Sequence, residues 1–274
     1  FKLRFRLRKP QELKHAILWA EEVHYILLDL RWCIPISLML FAEDEYEERE
    51  FKINLPDGVK IPALGEQRQL SVKLYGWPMG LSGAITWRGV WAALPALLHR
   101  ADSLQSSNVL ELGAGCGLLA NTAAVLGAHS IATDGNEEEL PLLQKNAFAF
   151  IDGMSMGGSL SACHLEWGEA AAERSGLRPK SFNFIIGSEI VYIPECIPAL
   201  VESLCFFLAD NGEALIANTA VATRTDQSAA RVILCQSLEA KGLDFQLEMP
   251  PQAPPPPGES SWAETSYILY VQNN

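Results

Sequence analysis

Apolar and polar positions along this chain follow two alternating registers, and the points where the register changes mark out its elements. From residue 108 onward, short apolar runs read as strands at 108–112, 130–133, 160–165, 182–187, 213–218, 244–248 and 266–271. Between them lie amphipathic stretches with helical spacing at 117–126, 137–150, 194–209 and 226–241, and another precedes the first strand at 90–101. The stretch at 194–209 carries the stripe Ile197, Leu200, Val201, Leu204 and Phe207. Strict alternation of strand and helix predicts an α/β fold, a mostly parallel sheet with helices on both faces.

Upstream the pattern changes. Residues 50–55, 59–61 and 69–74, separated by Pro56-Asp57-Gly58 and Gly65, read as short strands of a small β-hairpin layer. Residues 11–30 carry a helical stripe at Leu13, Ala16, Ile17, Ala20, Val23, Leu27 and Leu30. The organisation expected is an N-terminal helical extension at 1–49 and a main domain at 50–274. The acidic run Glu43–Glu50 reads as a solvated linker. Residues 250–258 are proline-rich, and a stiff polyproline-like loop is expected over 250–261.

Composition narrows the classes. A chain of 274 residues, 49% hydrophobic and 20% charged, is long enough to bury a full core. The most apolar stretch, 25–41, is interrupted by Asp29, Arg31 and Pro35, so no membrane span is expected. A net charge of -12 disfavours binding to a nucleic-acid backbone and suits a basic protein or peptide. Six cysteines without paired spacing read as free thiols in a reducing compartment, and the five histidines have no metal-ligand spacing, so no metal is assigned.

Phe1 is not an initiator methionine, so the sequence is expected to begin inside its gene product or after processing. Residues 1–9 alternate apolar and basic side chains, which suits an edge strand, a contact with an acidic partner, or the remnant of an organellar targeting segment. The cytoplasm is the expected compartment, with the mitochondrion or another organelle as the alternative. The basic N-terminus and the proline-rich loop are the candidate docking elements for a partner.

The chemistry gathers at Val109-Leu110-Glu111-Leu112-Gly113-Ala114-Gly115-Cys116-Gly117, where an apolar strand runs into a glycine turn and then a helix. Its glycines allow turn conformations closed to residues with a Cβ and a close approach of main chain to ligand. Asp134 ends the next apolar run about twenty residues on, where a ribose hydroxyl pair is gripped. The spacing is Gly-x-Gly-x-Gly, not that of dinucleotide binders, and the turn lacks the Gly-Lys-Ser/Thr of triphosphate binders.

With these residues the sequence resembles the seven-β-strand S-adenosylmethionine-dependent methyltransferases. Three further motifs resemble the protein-lysine branch called methyltransferase family 16: Gly89-Val90-Trp91, His164-Leu165-Glu166-Trp167-Gly168, and Gly187-Ser188-Glu189-Ile190-Val191-Tyr192. The resemblance implies a Rossmann-like seven-stranded sheet with an antiparallel last strand, and S-adenosyl-L-methionine as cofactor. It places Trp91, Glu111, Gly113, Ala114, Gly115, Asp134, Gly135, Trp167 and Ser188 at the cofactor. Glu189 and Tyr192 become the catalytic pair, positioning a lysine amine of a protein substrate. The competing role for Glu189 is structural, as a cap on the helix that begins near Pro194. Two other readings of the chain remain: a catalytically silent subunit of an assembly, and a methyltransferase for RNA or a small molecule.

Overall fold

The computed structural model of the protein describes residues 46–76, 88–150, 156–220, 225–249 and 265–273. The predicted helix at 11–30, the basic segment at 1–9 and the proline-rich loop lie outside the described residues. An outer layer comes first, formed by β1 (Glu47–Asn54) and β2 (Gln69–Gly76), paired antiparallel with Glu47 opposite Gly76. Period-2 alternation builds it, since Leu70, Val72 and Leu74 are buried while Ser71 and Lys73 face water.

Seven further strands form one sheet: β3 (Asn108–Leu112), β4 (His129–Asp134), β5 (Ser159–His164), β6 (Phe182–Ser188), β7 (Leu208–Ala220), β8 (Asp244–Glu248) and β9 (Thr265–Gln272). The spatial order is β5-β4-β3-β6-β7-β9-β8. Strands β3 to β7 pair in parallel, and β9 runs antiparallel to both of its neighbours. The fold class and the antiparallel last strand are those expected.

The helices are α1 (Arg88–Leu98), α2 (Ala101–Leu104), α3 (Leu118–Val125), α4 (Leu140–Phe150), α5 (Glu169–Arg174), α6 (Ile197–Phe207) and α7 (Thr225–Ala240). Among the described residues no helix is long and apolar enough to cross a membrane. One face of the sheet offers Ile186, Leu215, Ala217 and Ile268 to α1, α3 and the outer layer. The other offers Ile185, Ala214, Ile216 and Leu269 to α6 and α7. A leucine withdrawn wholly from water, as Leu110 and Leu112 are, contributes roughly 2 to 3 kcal/mol of transfer energy.

Three local expectations differ from the structure. Residues 59–61 form no strand; Val59 and Ile61 are buried plugs before a turn at Pro62–Leu64, and the Arg68 guanidinium donates to the carbonyls of Leu55, Pro56 and Val59. Pro62 has no N–H for a ladder, and Arg68 takes the carbonyls that a strand partner would need. The acidic run does not end as a linker, because Glu47–Glu50 lie in β1, where Glu48 pairs with Lys73 at 3.0 Å and Glu50 accepts from Ser71. Cross-strand partners draw the acids into the ladder. Helix α5 was not expected, because six residues are too few to show a period; its signals are Gly168 before it, Glu169 in its first turn and Arg174 in its last.

The topology fixes where a ligand can enter. Strand β3 has β4 on one side and β6 on the other, so the chain leaves it in opposite directions. A crevice opens beyond the carboxyl ends of strands at such a switch point. The loops after β3, β4, β5 and β6 meet there.

Candidate active site

Strand β3 delivers the glycine turn to this crevice. Gly113, Gly115 and Gly117 have φ of +63°, +54° and +81°, all in the left-handed region that side chains with a Cβ disfavour. At Gly113 space is also decisive: a Cβ there would stand 2.7 Å from Ile190 Cγ2 and 3.5 Å from Trp167 Cζ2. The turn is fastened to β4 by three bonds. Ala114 N–H donates to Thr133 O at 2.9 Å, Thr133 Oγ1 donates to Glu111 O at 2.6 Å, and Gly115 N–H donates to Asp134 Oδ2 at 2.9 Å. The other oxygen of Asp134 accepts from Asn136 N–H at 2.9 Å. Gly135 follows, exposed, with its carbonyl 3.1 Å from His164 Nε2.

Glu111 points the other way, into the core, where it is 3% exposed and accepts from Ala120 N–H at 2.8 Å. It therefore caps the start of α3, supplying an acceptor to N–H groups that have none within the helix. Burial pushes its carboxyl up to about 8; the charge of Asp134 adds to this, and the N–H bonds from Ala120 and Leu119 oppose it. Between pH 4.5 and 8 the unfolded chain has released this proton while the folded chain keeps it. Protons bound in excess by the folded state mean that stability falls as pH rises through that window and levels off above it. The full span is on the order of 5 kcal/mol. Glu111→Gln keeps an oxygen for Ala120 N–H and removes the titration. Its unfolding free energy, measured by denaturant titration between pH 5 and 9, is expected to lose most of the slope seen in the unaltered protein.

At the end of β6, Glu189 has φ +56°, a left-handed conformation that costs a non-glycine residue on the order of 1 to 2 kcal/mol. Its surroundings hold it there. Its own N–H donates to Ala217 O at 2.8 Å. Oε1 accepts from Gly89 N–H at 2.8 Å, Thr219 N–H at 3.0 Å and the Thr219 hydroxyl, and Oε2 accepts from Asn218 Nδ2 at 3.3 Å. The carboxylate thus caps a helix, but the helix is α1, across the sheet, and not the one that begins near Pro194. Gly89 is glycine for lack of room, since a Cβ would lie 2.8 Å from Glu189 Oε1 and 2.9 Å from both Ala217 O and Ser188 Oγ.

Tyr192, three residues on, is 48% exposed. Partial burial raises its phenol pKa, and the charges of Cys196 and Asp134 add to the rise. Val191, just before Tyr192, is buried, with its N–H and carbonyl both bonded to the Asn218 amide. Trp167 lies half-buried against the Gly113 turn. Trp91 is 7% exposed and packs on Phe51, ring centroids 6.0 Å apart. Among the described residues its indole N–H and the Ser188 hydroxyl are buried polar atoms with no hydrogen-bond partner. Buried polar atoms left unpaired are rare, and an ordered water or a ligand group is what would complete them.

The structure brings Gly113, Ala114, Gly115, Asp134, Trp167 and Tyr192 to one end of the sheet. It turns the carboxylates of Glu111 and Glu189 inward, onto two helix starts. Sequence reasoning missed Gly89, Asn218 and Thr219 as the partners of Glu189; the available signal was the polar pair Asn218-Thr219 closing the apolar run of β7.

A family model described as lysine methyltransferase matches residues 81–231. The chain belongs to that lysine methyltransferase family. The resemblance read from its motifs is therefore correct. Among lysine methyltransferase relatives, protein N-lysine methyltransferase METTL21A of Danio rerio is 36% identical over 155 residues, covering 53% of this chain and 68% of that one. METTL21A of Xenopus tropicalis is 32% identical, covering 44% of this chain and 53% of its own. Protein-lysine N-methyltransferase EFM3 of Chaetomium thermophilum is 32% identical, covering 46% and 38%. This chain thus spans about half the length, or less, of the latter two.

Proposed function

We propose that the protein transfers a methyl group from S-adenosylmethionine to the side-chain nitrogen of a lysine in another protein. The observation that carries this reading is the convergence of the glycine turn, Asp134 and Tyr192 at the switch point of a chain in the lysine methyltransferase family. The cofactor, when bound, supplies an electrophilic methyl carbon on a cationic sulfur.

The site residues suit such a ligand. Asp134 keeps lone pairs for a ribose hydroxyl pair, and the left-handed turn at Gly113-Ala114-Gly115 exposes main chain to it. Trp167 offers an aromatic face to a cation or a base. The unpartnered Trp91 N–H and Ser188 hydroxyl supply donors for an acidic group.

A lysine ammonium must first release its proton to solvent. Tyr192 walls the amine from water, which favours the neutral form, and Glu189 fixes the frame around it. So held, the nitrogen lone pair would be aligned for in-line displacement at the methyl carbon, with sulfur as the leaving group, once the cofactor is bound. Residues 134–139, 164–169 and 188–196, at and beyond the ends of β4, β5 and β6, include the solvent-reaching acids Asp134, Glu137, Glu138, Glu166, Glu169 and Glu195 and no lysine or arginine. Such a rim favours a lysine set among basic neighbours. The five described cysteines are unpaired, which favours a reducing compartment such as the cytoplasm.

The test is incubation with radiolabelled S-adenosylmethionine and a cell extract. The expected result is label that protease removes and acid hydrolysis releases as methyllysine, with transfer weakening as ionic strength rises. Label that resists protease and yields to ribonuclease overturns the lysine assignment.

A further inference from the structure

Helix α4 carries a buried amide that the transfer chemistry does not use. Asn146 is 1% exposed. Its Oδ1 accepts from Tyr75 N–H at 2.7 Å, and its Nδ2 donates to Tyr75 O at 3.0 Å and to Cys116 O at 2.8 Å. Only this orientation of the amide satisfies all three, because a flip would set its N–H₂ against the Tyr75 N–H. The side chain thus pairs with β2 as a short strand would, and uses its remaining proton on the glycine turn.

That turn is then held from two sides. Asp134 takes the Gly115 N–H and Asn146 takes the Cys116 carbonyl, so the main chain between them has little freedom to rotate. The neighbouring Lys145 adds a second grip on the outer layer, its Nζ lying 4.3 Å from the Tyr75 ring centroid and 5.1 Å from that of Tyr46. A residue buried to this degree and bonded only to main chain from two other elements fixes their relative position. Of these two α4 side chains, Asn146 also bonds the turn.

We propose that Asn146 is a positioning residue that sets the glycine turn for the cofactor and couples cofactor binding to the outer β1–β2 layer. The proposal rests on the cofactor reading above. Asn146→Asp keeps the shape and the acceptor for Tyr75 N–H, but turns an oxygen toward the carbonyls of Tyr75 and Cys116. Lys145→Met loosens the outer layer and leaves the turn alone.

The experiment measures S-adenosylhomocysteine affinity by calorimetry, and amide hydrogen exchange of residues 69–76 with and without that ligand, for the unaltered protein and both variants. The ligand is expected to slow exchange at 74–76 in the unaltered protein. Asn146→Asp is expected to bind about tenfold more weakly, as one lost bond of this kind implies, and to lose that transmitted protection. Lys145→Met should exchange faster without ligand yet bind within about twofold of normal, since the half-buried Lys145 ammonium faces the rings of Tyr75 and Tyr46 and not the turn. An unaltered protein that binds no S-adenosylhomocysteine overturns the cofactor reading and this one together. Normal binding with exchange at 74–76 indifferent to ligand, or a folded Asn146→Asp with unchanged affinity, overturns only the coupling. Because the unaltered protein's exchange needs no variant, failure of Asn146→Asp to fold leaves that arm decisive.

Discussion

Replacing Asp134 with alanine is expected to weaken S-adenosylhomocysteine binding by at least about 100-fold, roughly 2.7 kcal/mol. Two losses combine. A carboxylate that accepts from a hydroxyl pair contributes on the order of 1.5 to 3 kcal/mol per charged bond, and β4 itself carries no other acid. The same substitution frees Gly115 N–H, whose bond to Asp134 Oδ2 helps hold the turn. Asp134→Asn separates the two: it keeps an oxygen but loses the charge, and a loss near tenfold is expected. Isothermal calorimetry on both variants, with thermal unfolding to confirm that each is folded, provides the measurement. An alanine variant that binds normally removes Asp134 from the cofactor site.

The sheet and the turn were legible because each leaves a mark in consecutive residues. Strand β3 begins and ends where its apolar run does, and β4, β5 and β6 differ from theirs by a residue or two. Their alternation with helices leaves few topologies open. Strand β7 was less legible at its start: Leu208 continues the apolar stripe of α6, and the break that lets the strand begin early is a left-handed Asn211 followed by Gly212, not a change of period. The side-chain orientations were not legible. Glu111 and Asp134 both end apolar runs as carboxylates, yet one faces the core and the other the crevice. What separates them is the start of α3 packed behind Glu111; the helix itself was legible in the pattern, but which carboxylate its N–H groups would take was not. For Glu189 the visible helix start was the nearby one at Pro194, whereas the N–H it binds belongs to Gly89, one hundred residues earlier in the chain.

That distant bond shapes what substitution of Glu189 does. As an exposed acid reaching toward the amine, Glu189 would be lost from catalysis alone when replaced by alanine. As the structure has it, the carboxylate joins α1 to the end of β7, and alanine would leave Gly89 N–H, Thr219 N–H and the Asn218 amide short of an acceptor. Each unpaired buried donor costs about 1 to 3 kcal/mol, so Glu189→Ala is expected to lower stability as well as transfer. Glu189→Gln is the cleaner probe. Its oxygen retains the Gly89 and Thr219 bonds, but its N–H₂ meets the Asn218 Nδ2 donor, and the anion at the start of α1 is gone. The frame that carries Ile190, Val191 and Tyr192 then shifts by a fraction of an ångström to an ångström, a displacement that costs on the order of 100-fold when reacting atoms must align. The expected result is kcat down about 100-fold, with S-adenosylhomocysteine affinity within about threefold and the melting temperature little changed. Loss of cofactor affinity in step with kcat would assign Glu189 to the cofactor pocket instead. Unchanged kcat would show that the end of β6 needs only an acceptor at this position and no charge.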